Sequence, residues 1–239
     1  MCIVIILIAG IYTIGGNMKR NEIKYIINPL QKEILANKLK GLCKRDENCI
    51  SPSGYKVTSL YFDDYNNSSY YDKVNGIEYR KKFRIRTYNH DIKQINLEKK
   101  SKHGNMCEKQ VFPITYEEYL NILAGNLDFL KLYDSPLARD FCFSYAAKGL
   151  RPKSVVSYDR DAYIYPFGDV RITFDSNIKS GVRGFDIFNN ILEIKTPDHS
   201  NIIMEVKYSG YLPSNIKAII QTATLMPLSV SKYVNTRIV

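Results

Sequence analysis

Residues 79–88 read YRKKFRIRTY. In an extended chain successive side chains point to opposite faces. Arg80, Lys82, Arg84 and Arg86 therefore share one face, and Phe83 and Ile85 take the other. The same alternation recurs along the chain. In 95–100, Asn96, Glu98 and Lys100 oppose Ile95 and Leu97, and in 156–162 Tyr158 and Arg160 share a face. In 170–175, Arg171, Thr173 and Asp175 oppose Val170, Ile172 and Phe174. In 202–208, Glu205 and Lys207 oppose Ile202, Met204, Val206 and Tyr208. The first strand adds Arg20, Glu22 and Lys24 against Ile23, Tyr25 and Ile27.

An antiparallel sheet with one face in water explains any one of these strands. The set is harder to explain that way, because its polar faces are repeatedly Arg or Lys and because Glu and Lys recur two apart. The expected fold is α+β: a closed antiparallel β tunnel with the polar faces inward and helices packed outside. Buried unpaired cations are costly, so such an interior is tenable only if it is wet and holds a polyanion. Carboxylates among the cations supply hard oxygen ligands for a divalent metal.

Composition agrees. The 239 residues carry 34 Lys+Arg against 24 Asp+Glu, a formal charge of +10, which points to a polyanionic partner without choosing among nucleic acid, phosphate compounds and acidic lipid. Five scattered cysteines (Cys2, Cys43, Cys49, Cys107, Cys142), with no C-x-x-C pair, argue against a disulfide framework or a zinc site and fit a reducing, cytoplasmic compartment. His90, His103 and His199 stand at no metal-ligand spacing. Gly15-Gly16 and Gly181-x-x-Gly184 lack the Gly-Lys-Ser/Thr ending of a phosphate loop, and no RNA-recognition signature makes nucleic acid the partner.

Period-two patterning predicts strands over 20–27, 56–63, 78–88, 93–100, 106–113, 153–165, 170–175, 191–195 and 202–208. Helices are expected over 29–42, opened by Asn28 and Pro29, from Thr115, over 138–148, and from about Pro213. There is no linker, so 18–239 is read as one domain after an apolar extension, 1–17. Met18 as natural start, or a dispensable tail, is the expectation for that extension; a membrane anchor or crude export signal is the competing reading.

Taken in order, Arg20-x-Glu22-x-Lys24-Tyr25, SLYFDD (59–64), YRKKFRIRTY (79–88), LEKK (97–100), YDR (158–160), RITFD (171–175), MEVKYSGYLP (204–213) and SKY (231–233) resemble the VTC domain, the polyphosphate polymerase domain of the CYTH-like triphosphate tunnel superfamily. The resemblance runs from about residue 19 to the C-terminus. It implies ATP and polyphosphate as substrates, with ATP's terminal phosphate moved to a growing chain, and manganese or magnesium as cofactor. It assigns phosphate contacts to Lys24, Arg84, Arg86, Lys100, Lys109, Arg160, Arg171 and Lys232, and phosphate hydrogen bonds to Tyr158 and Ser231. Glu205 becomes the chief metal ligand with Lys207 beside it. Arg84, Arg86, Arg160, Glu205 and Lys207 are the catalytic set; Glu22 and Glu98 are secondary carboxylates, either metal-linked or counter-charges. The family's eukaryotic link to translocation adds a membrane partner protein, which together with the N-terminal segment is the route to a membrane.

The wider superfamily opens with Glu-x-Glu-x-Lys where this chain has Arg20. Losing that carboxylate weakens a second metal site and tilts the expectation from triphosphatase or polyphosphatase toward polymerase. A non-catalytic polyanion-binding module is the third reading. Several residues carry plainer readings too. Arg84 and Arg86 would suit a solvated edge strand, and Glu205/Lys207 a weak surface pair. Glu193/Lys195 in ILEIK repeats their spacing, Lys232 would suit a helix-terminal charge, and Asp63 and Asp175 would suit pairing with the tunnel arginines and binding a metal equally well.

Overall fold

Asn28 both ends a strand and begins a helix. Its side chain accepts from the Gln31 amide while the Gln31 side chain accepts from the Asn28 amide, and Pro29 fills the first helical position, where an N–H would have no partner. Thr115 and Glu118 build the same reciprocal cap further on. The computed structural model describes residues 20–104, 106–181, 184–188, 193–196, 200–223 and 225–237; the extension read over 1–17 and His199 lie outside the described residues.

In chain order the elements are β1 (Asn21–Ile27), α1 (Pro29–Lys40), β2 (Lys44–Arg45), β3 (Tyr55–Asp63), α2 (Ser68–Val74), β4 (Tyr79–Tyr88), β5 (Ile95–His103) and β6 (Met106–Ile114). There follow α3 (Tyr116–Ala124), a 3-10 turn (Asp128–Leu132), α4 (Pro136–Ala147), β7 (Arg151–Tyr165), β8 (Val170–Gly181), β9 (Glu193–Lys195), β10 (Ile202–Tyr208), α5 (Ser214–Gln221) and α6 (Lys232–Asn235). The antiparallel sheet runs β1-β10-β8-β7-β3-β4-β5-β6, with β2 on β7 and β9 on β8. Its edge strands meet through one isolated antiparallel bridge between Arg20 and Cys107.

The alternation separates two kinds of surface. On the helix-covered face, Leu60, Phe62, Phe83, Ile85, Ile95 and Leu97 pack under α3 and α4, while Tyr25, Ile172, Phe174, Met204 and Val206 pack under α1 and α5. The opposite face carries the cations and a tyrosine-rich cluster of Tyr55, Tyr61, Tyr158 and Tyr233. Backbone contact fixes one position there: Gly54 holds φ at 97°, and a Cβ on it would fall 1.9 Å from the Arg160 carbonyl oxygen, an approach open only to glycine.

Two helices were not legible in the pattern. Asn67, ahead of α2, makes no side-chain cap. Instead Asp64 accepts from the Ser68 amide, and Asp63 from the Ser69 and Tyr70 amides. Asp63 also accepts from the Tyr233 hydroxyl of α6 at 2.7 Å. The expectation that Asp63 pairs with an arginine is therefore corrected: it ties β3 to both short helices. Among the described residues Cys43, Cys49, Cys107 and Cys142 are free thiols, and no helix is long and apolar enough to cross a membrane.

Candidate functional site

The antiparallel registers bring the charged faces into rows. Lys24 lies opposite Glu205, and Glu22 opposite Lys207; Glu205 is also paired with Thr173, Arg160 with Asp175, and Arg84 with Glu98. Opposite charges in such pairs attract across the sheet. All of this follows from strand alternation plus register, and it yields two clusters on one face.

The first cluster centres on Tyr158. Arg84 binds Glu98 through Nε at 2.7 Å and Nη2 at 2.6 Å, and donates to the Tyr61 hydroxyl at 3.1 Å. Arg86 donates to Ser59 at 3.0 Å and to the Tyr158 hydroxyl at 3.3 Å, with Glu98 at 3.9 Å. Arg160 grips Asp175 with both Nε and Nη2, at 2.7 and 2.8 Å, and reaches the Tyr158 hydroxyl at 3.2 Å. Lys232 is no solvated helix end; it meets Asp175 at 2.6 Å and lies over the Tyr158 ring. Glu98 is 1% exposed and also accepts from Lys109 at 3.2 Å. Burial resists its ionisation, yet Arg84, Arg86 and Lys109 hold its pKa well below the ordinary carboxylate value. Of the two roles read for Glu98, counter-charge is the one its contacts supply.

The second cluster joins the first where Arg160 Nη2 comes within 3.9 Å of Glu205. Glu205 sits 3.3 Å from Lys207, and Glu22 sits 2.6 Å from Lys100 and 3.1 Å from Lys24. Burial and Glu205 both oppose ionisation of Glu22, but Lys24, Lys100 and Lys207 bring its pKa down to about 2. Glu205, likewise resisted by burial, is held well below its ordinary value by Lys207, Lys24, Lys100 and Arg160. Lys207 is drawn up by Glu205, yet burial, Lys100 and Arg160 together press it down to about 8. Two ionised neighbouring carboxylates fit a hard divalent cation. Among the described residues no set of three metal-binding side chains gathers, so Glu22 and Glu205 are the carboxylates that could hold such a cation. Glu98, committed to Arg84, does not join them.

Above this second cluster opens a cavity of about 390 Å³. It contains the predicted residues Lys24, Lys100, Glu22 and Ser231, together with Lys73, Arg80, Lys82 and Lys102, which reading the sequence did not single out as site residues. Arg80 and Lys82 share the face of Arg84 and Arg86, and that parity was the signal for them; Lys73 comes from α2, which the pattern missed. Burial, then Lys100, Lys24 and Arg84, bring Lys82 down to about 7 against the pull of Tyr61. Burial, Arg80, Lys24 and Lys102 bring Lys73 down to about 8. Three buried polar atoms on the inner face, Ser231 Oγ, Thr173 Oγ1 and Arg171 Nε, have no hydrogen-bond partner. Buried groups in that state carry a desolvation cost that a ligand oxygen would relieve.

Two predicted residues stand apart. Arg171 reaches Asp46 at 2.5 Å and the Tyr55 hydroxyl at 2.9 Å, on the inner face but outside the cavity lining. Arg20 pairs with Asp169 at 2.8 Å, so its charge is already matched rather than offered to a long anion. The Glu193/Lys195 alternative falls on β9, which pairs with the end of β8; the side chain of Glu193 lies outside the described residues.

The family model of the VTC domain matches residues 19–238. No curated protein matches the chain. Among solved structures, a conserved hypothetical protein from Pyrococcus furiosus is similar with a TM-score of 0.48 at 13% identity, covering 89% of this chain and 96% of that one. A Bacillus halodurans protein proposed to be an adenylate cyclase is similar with a TM-score of 0.49 at 14% identity, covering 90% and 95%. Neither likeness carries weight for activity or ligand.

Proposed function

The chain belongs to the VTC domain family, and from that premise we propose a metal-dependent polyphosphate polymerase that moves ATP's terminal phosphate onto a polyphosphate chain inside a closed β tunnel. The observation that supports this reading is the cavity ringed by Lys24, Lys73, Arg80, Lys82, Lys100 and Lys102, in which Glu22 is the one carboxylate. That excess of cations suits a chain of phosphates better than any neutral or cationic substrate.

Phosphoryl transfer asks the protein mainly for positioning and charge neutralisation. The terminal oxygen of the acceptor chain attacks ATP's γ-phosphorus, the bond to the β,γ-bridging oxygen breaks, and ADP leaves with that electron pair. Arg84, Arg86 and Arg160 steady the transferring group with guanidinium forks. Tyr158 keeps Arg86 and Arg160 in register through its hydroxyl. Ser231 and Lys232 donate to phosphate oxygens, and the lysines Lys24, Lys82 and Lys100 carry the chain. A manganese or magnesium ion held by Glu205 and Glu22 would neutralise charge that develops on the phosphate oxygens. The protein acts in the cytoplasm, with a membrane partner receiving the chain.

Purified protein incubated with ATP and manganese or magnesium, scored for chain polyphosphate, ADP and free phosphate, tests this. Chains with matching ADP are expected, and Glu205→Ala is expected to abolish them. Free phosphate without chains would replace the polymerase with a hydrolase, and ATP binding without turnover would leave a binding module.

A further inference from the structure

We infer that Tyr233 is a positioning residue for the phosphate site, which through its bond to Asp63 sets where Ser231 and Lys232 stand; this rests on the reading of those two residues as phosphate ligands. The helix that carries Lys232 and Tyr233 cannot hold itself in place. α6 has four residues, and a single turn fixes too many dihedrals for its few hydrogen bonds to be stable alone. The stretch that leads into it, 225–231, has no regular secondary structure. Ser231 occupies the N-cap position, where a serine ordinarily accepts from an amide in the first turn, yet its side chain makes no such bond. Its hydroxyl is buried against the cavity and has no partner among the described residues. The cap is forgone, and the hydroxyl is left for a ligand oxygen.

Something else must hold that end of the helix. The far end is fixed by Thr236, whose hydroxyl accepts from Ser154 at 3.1 Å and whose carbonyl accepts from Ser180 at 3.0 Å. Toward the near end, Lys73 donates to the Ser229 carbonyl at 3.0 Å, Lys24 donates to the Val230 carbonyl at 3.2 Å, and Lys232 meets Asp175 at 2.6 Å. Each of these contacts is made by a cation of the site, which a polyanion draws to itself. The bond from the Tyr233 hydroxyl to Asp63 at 2.7 Å is not. Tyr233 is 1% exposed, and its ring stacks on Tyr61 at 5.1 Å. Asp63 is fixed in turn by the Ser69 and Tyr70 amides of α2. Burial and Asp63 hold the ionisation of the Tyr233 phenol well above its ordinary value, so the donor persists. When phosphate claims Lys24, Lys73 and Lys232, the tyrosine keeps the start of α6 in register.

Calorimetric titration with tripolyphosphate, on wild type, Tyr233→Phe, Lys232→Ala and the double variant, tests this. Tyr233→Phe keeps the stacked ring and removes only the hydroxyl. It should weaken binding about tenfold, roughly 1.4 kcal/mol. The double variant should bind within about twofold of Lys232→Ala alone, because the tyrosine acts through the lysine. Hydrogen exchange separates this from unfolding: the Asn235 amide, which donates to the Ser231 carbonyl, should exchange faster in Tyr233→Phe while the Ser69 and Tyr70 amides stay protected. Asp63→Asn weakens the same bond from the acceptor side and should show the same non-additivity with Lys232→Ala. Unchanged affinity in Tyr233→Phe, or losses that simply add to those of Lys232→Ala, would overturn the inference and leave the phosphate site standing. Unchanged affinity in Lys232→Ala would overturn the reading of Lys232 and the inference with it.

Discussion

Near Tyr158 each arginine has a carboxylate within reach, whereas at the mouth seven cations line the cavity with Glu22 as the one carboxylate among the described residues. The two regions share one face of one sheet and the same alternating sequence pattern, yet they solve the problem of buried charge differently. In the first, Glu98 and Asp175 neutralise Arg84 and Arg160, and hydroxyls of Tyr61, Tyr158 and Ser59 accept from further guanidinium donors. In that cluster charge is matched by charge within the fold, with guanidinium N–H groups of Arg86 and Arg160 left over. In the second, among the described residues, Lys82 and Lys102 have no carboxylate partner, and burial with like charges holds Lys82 near 7 and Lys73 near 8. Such a surface is completed by something from outside. Density of charge therefore does not locate the open part of the site; imbalance does.

The largest expected effect breaks the balanced region. Arg84→Met leaves Glu98, 1% exposed, facing Arg86 at 3.9 Å and the half-exposed Lys109. Breaking a buried pair from one side costs about 3–5 kcal/mol, so urea denaturation should register a loss of that order. Adding Glu98→Gln to the same chain should recover most of it, because the uncompensated charge is gone. A single variant as stable as the wild type would mean that Glu98 is hydrated and that the cluster is not balanced by pairing.

The mouth should respond the opposite way. Lys82→Ala/Lys102→Ala removes unpaired like charges, so stability should hold or rise while ATP affinity, measured calorimetrically, falls about tenfold, roughly 1.4 kcal/mol. The pH dependence sharpens the contrast. Lys82 at about 7 and Lys73 at about 8 in the free protein become more basic beside an anion, so binding takes up protons. Wild-type affinity should then fall as pH rises from about 7 to about 9, and the slope should flatten when Lys82 is replaced. A pH-independent affinity, or an equal slope in the variant, would remove the mouth from the binding surface.

Much of this was legible in the sequence because a strand's faces are fixed by parity. The shared face of Arg84 and Arg86, the opposition of Lys24 to Ile23 and Tyr25, and the caps at Asn28 and Thr115 need nothing beyond local chemistry. What distant segments decide was not legible. Asp63 was read as an arginine partner or a metal ligand because its role depends on α2 and on Tyr233, 170 positions away. Glu98 could be a metal ligand or a counter-charge until register placed it opposite Arg84. Lys73 and Lys102 enter the cavity only because α2 and the end of β5 converge there. The neutralisation of Arg20 by Asp169, in the β7–β8 turn, is a tertiary fact that no alternation reveals.

The smallest effect tests the seam between the two regions. Thr173, on the strand next to Glu205, and Ser231, beside Lys232, are buried with unpartnered hydroxyls. Unsatisfied polar atoms of this kind cost about 1–3 kcal/mol in the free protein, and replacing them by an apolar group of similar shape is neutral or stabilising. Thr173→Val and Ser231→Ala should therefore leave the melting temperature unchanged or raise it. If each hydroxyl meets a phosphate oxygen in the complex, the same variants should lose ATP affinity by about three- to tenfold, a net hydrogen bond's worth. Gain in stability with loss of affinity is the signature of a group held unpaired for a ligand. A melting temperature lowered by the substitution would instead mean that the hydroxyl is already satisfied within the fold, and the inner face at that position would belong with the balanced region around Tyr158.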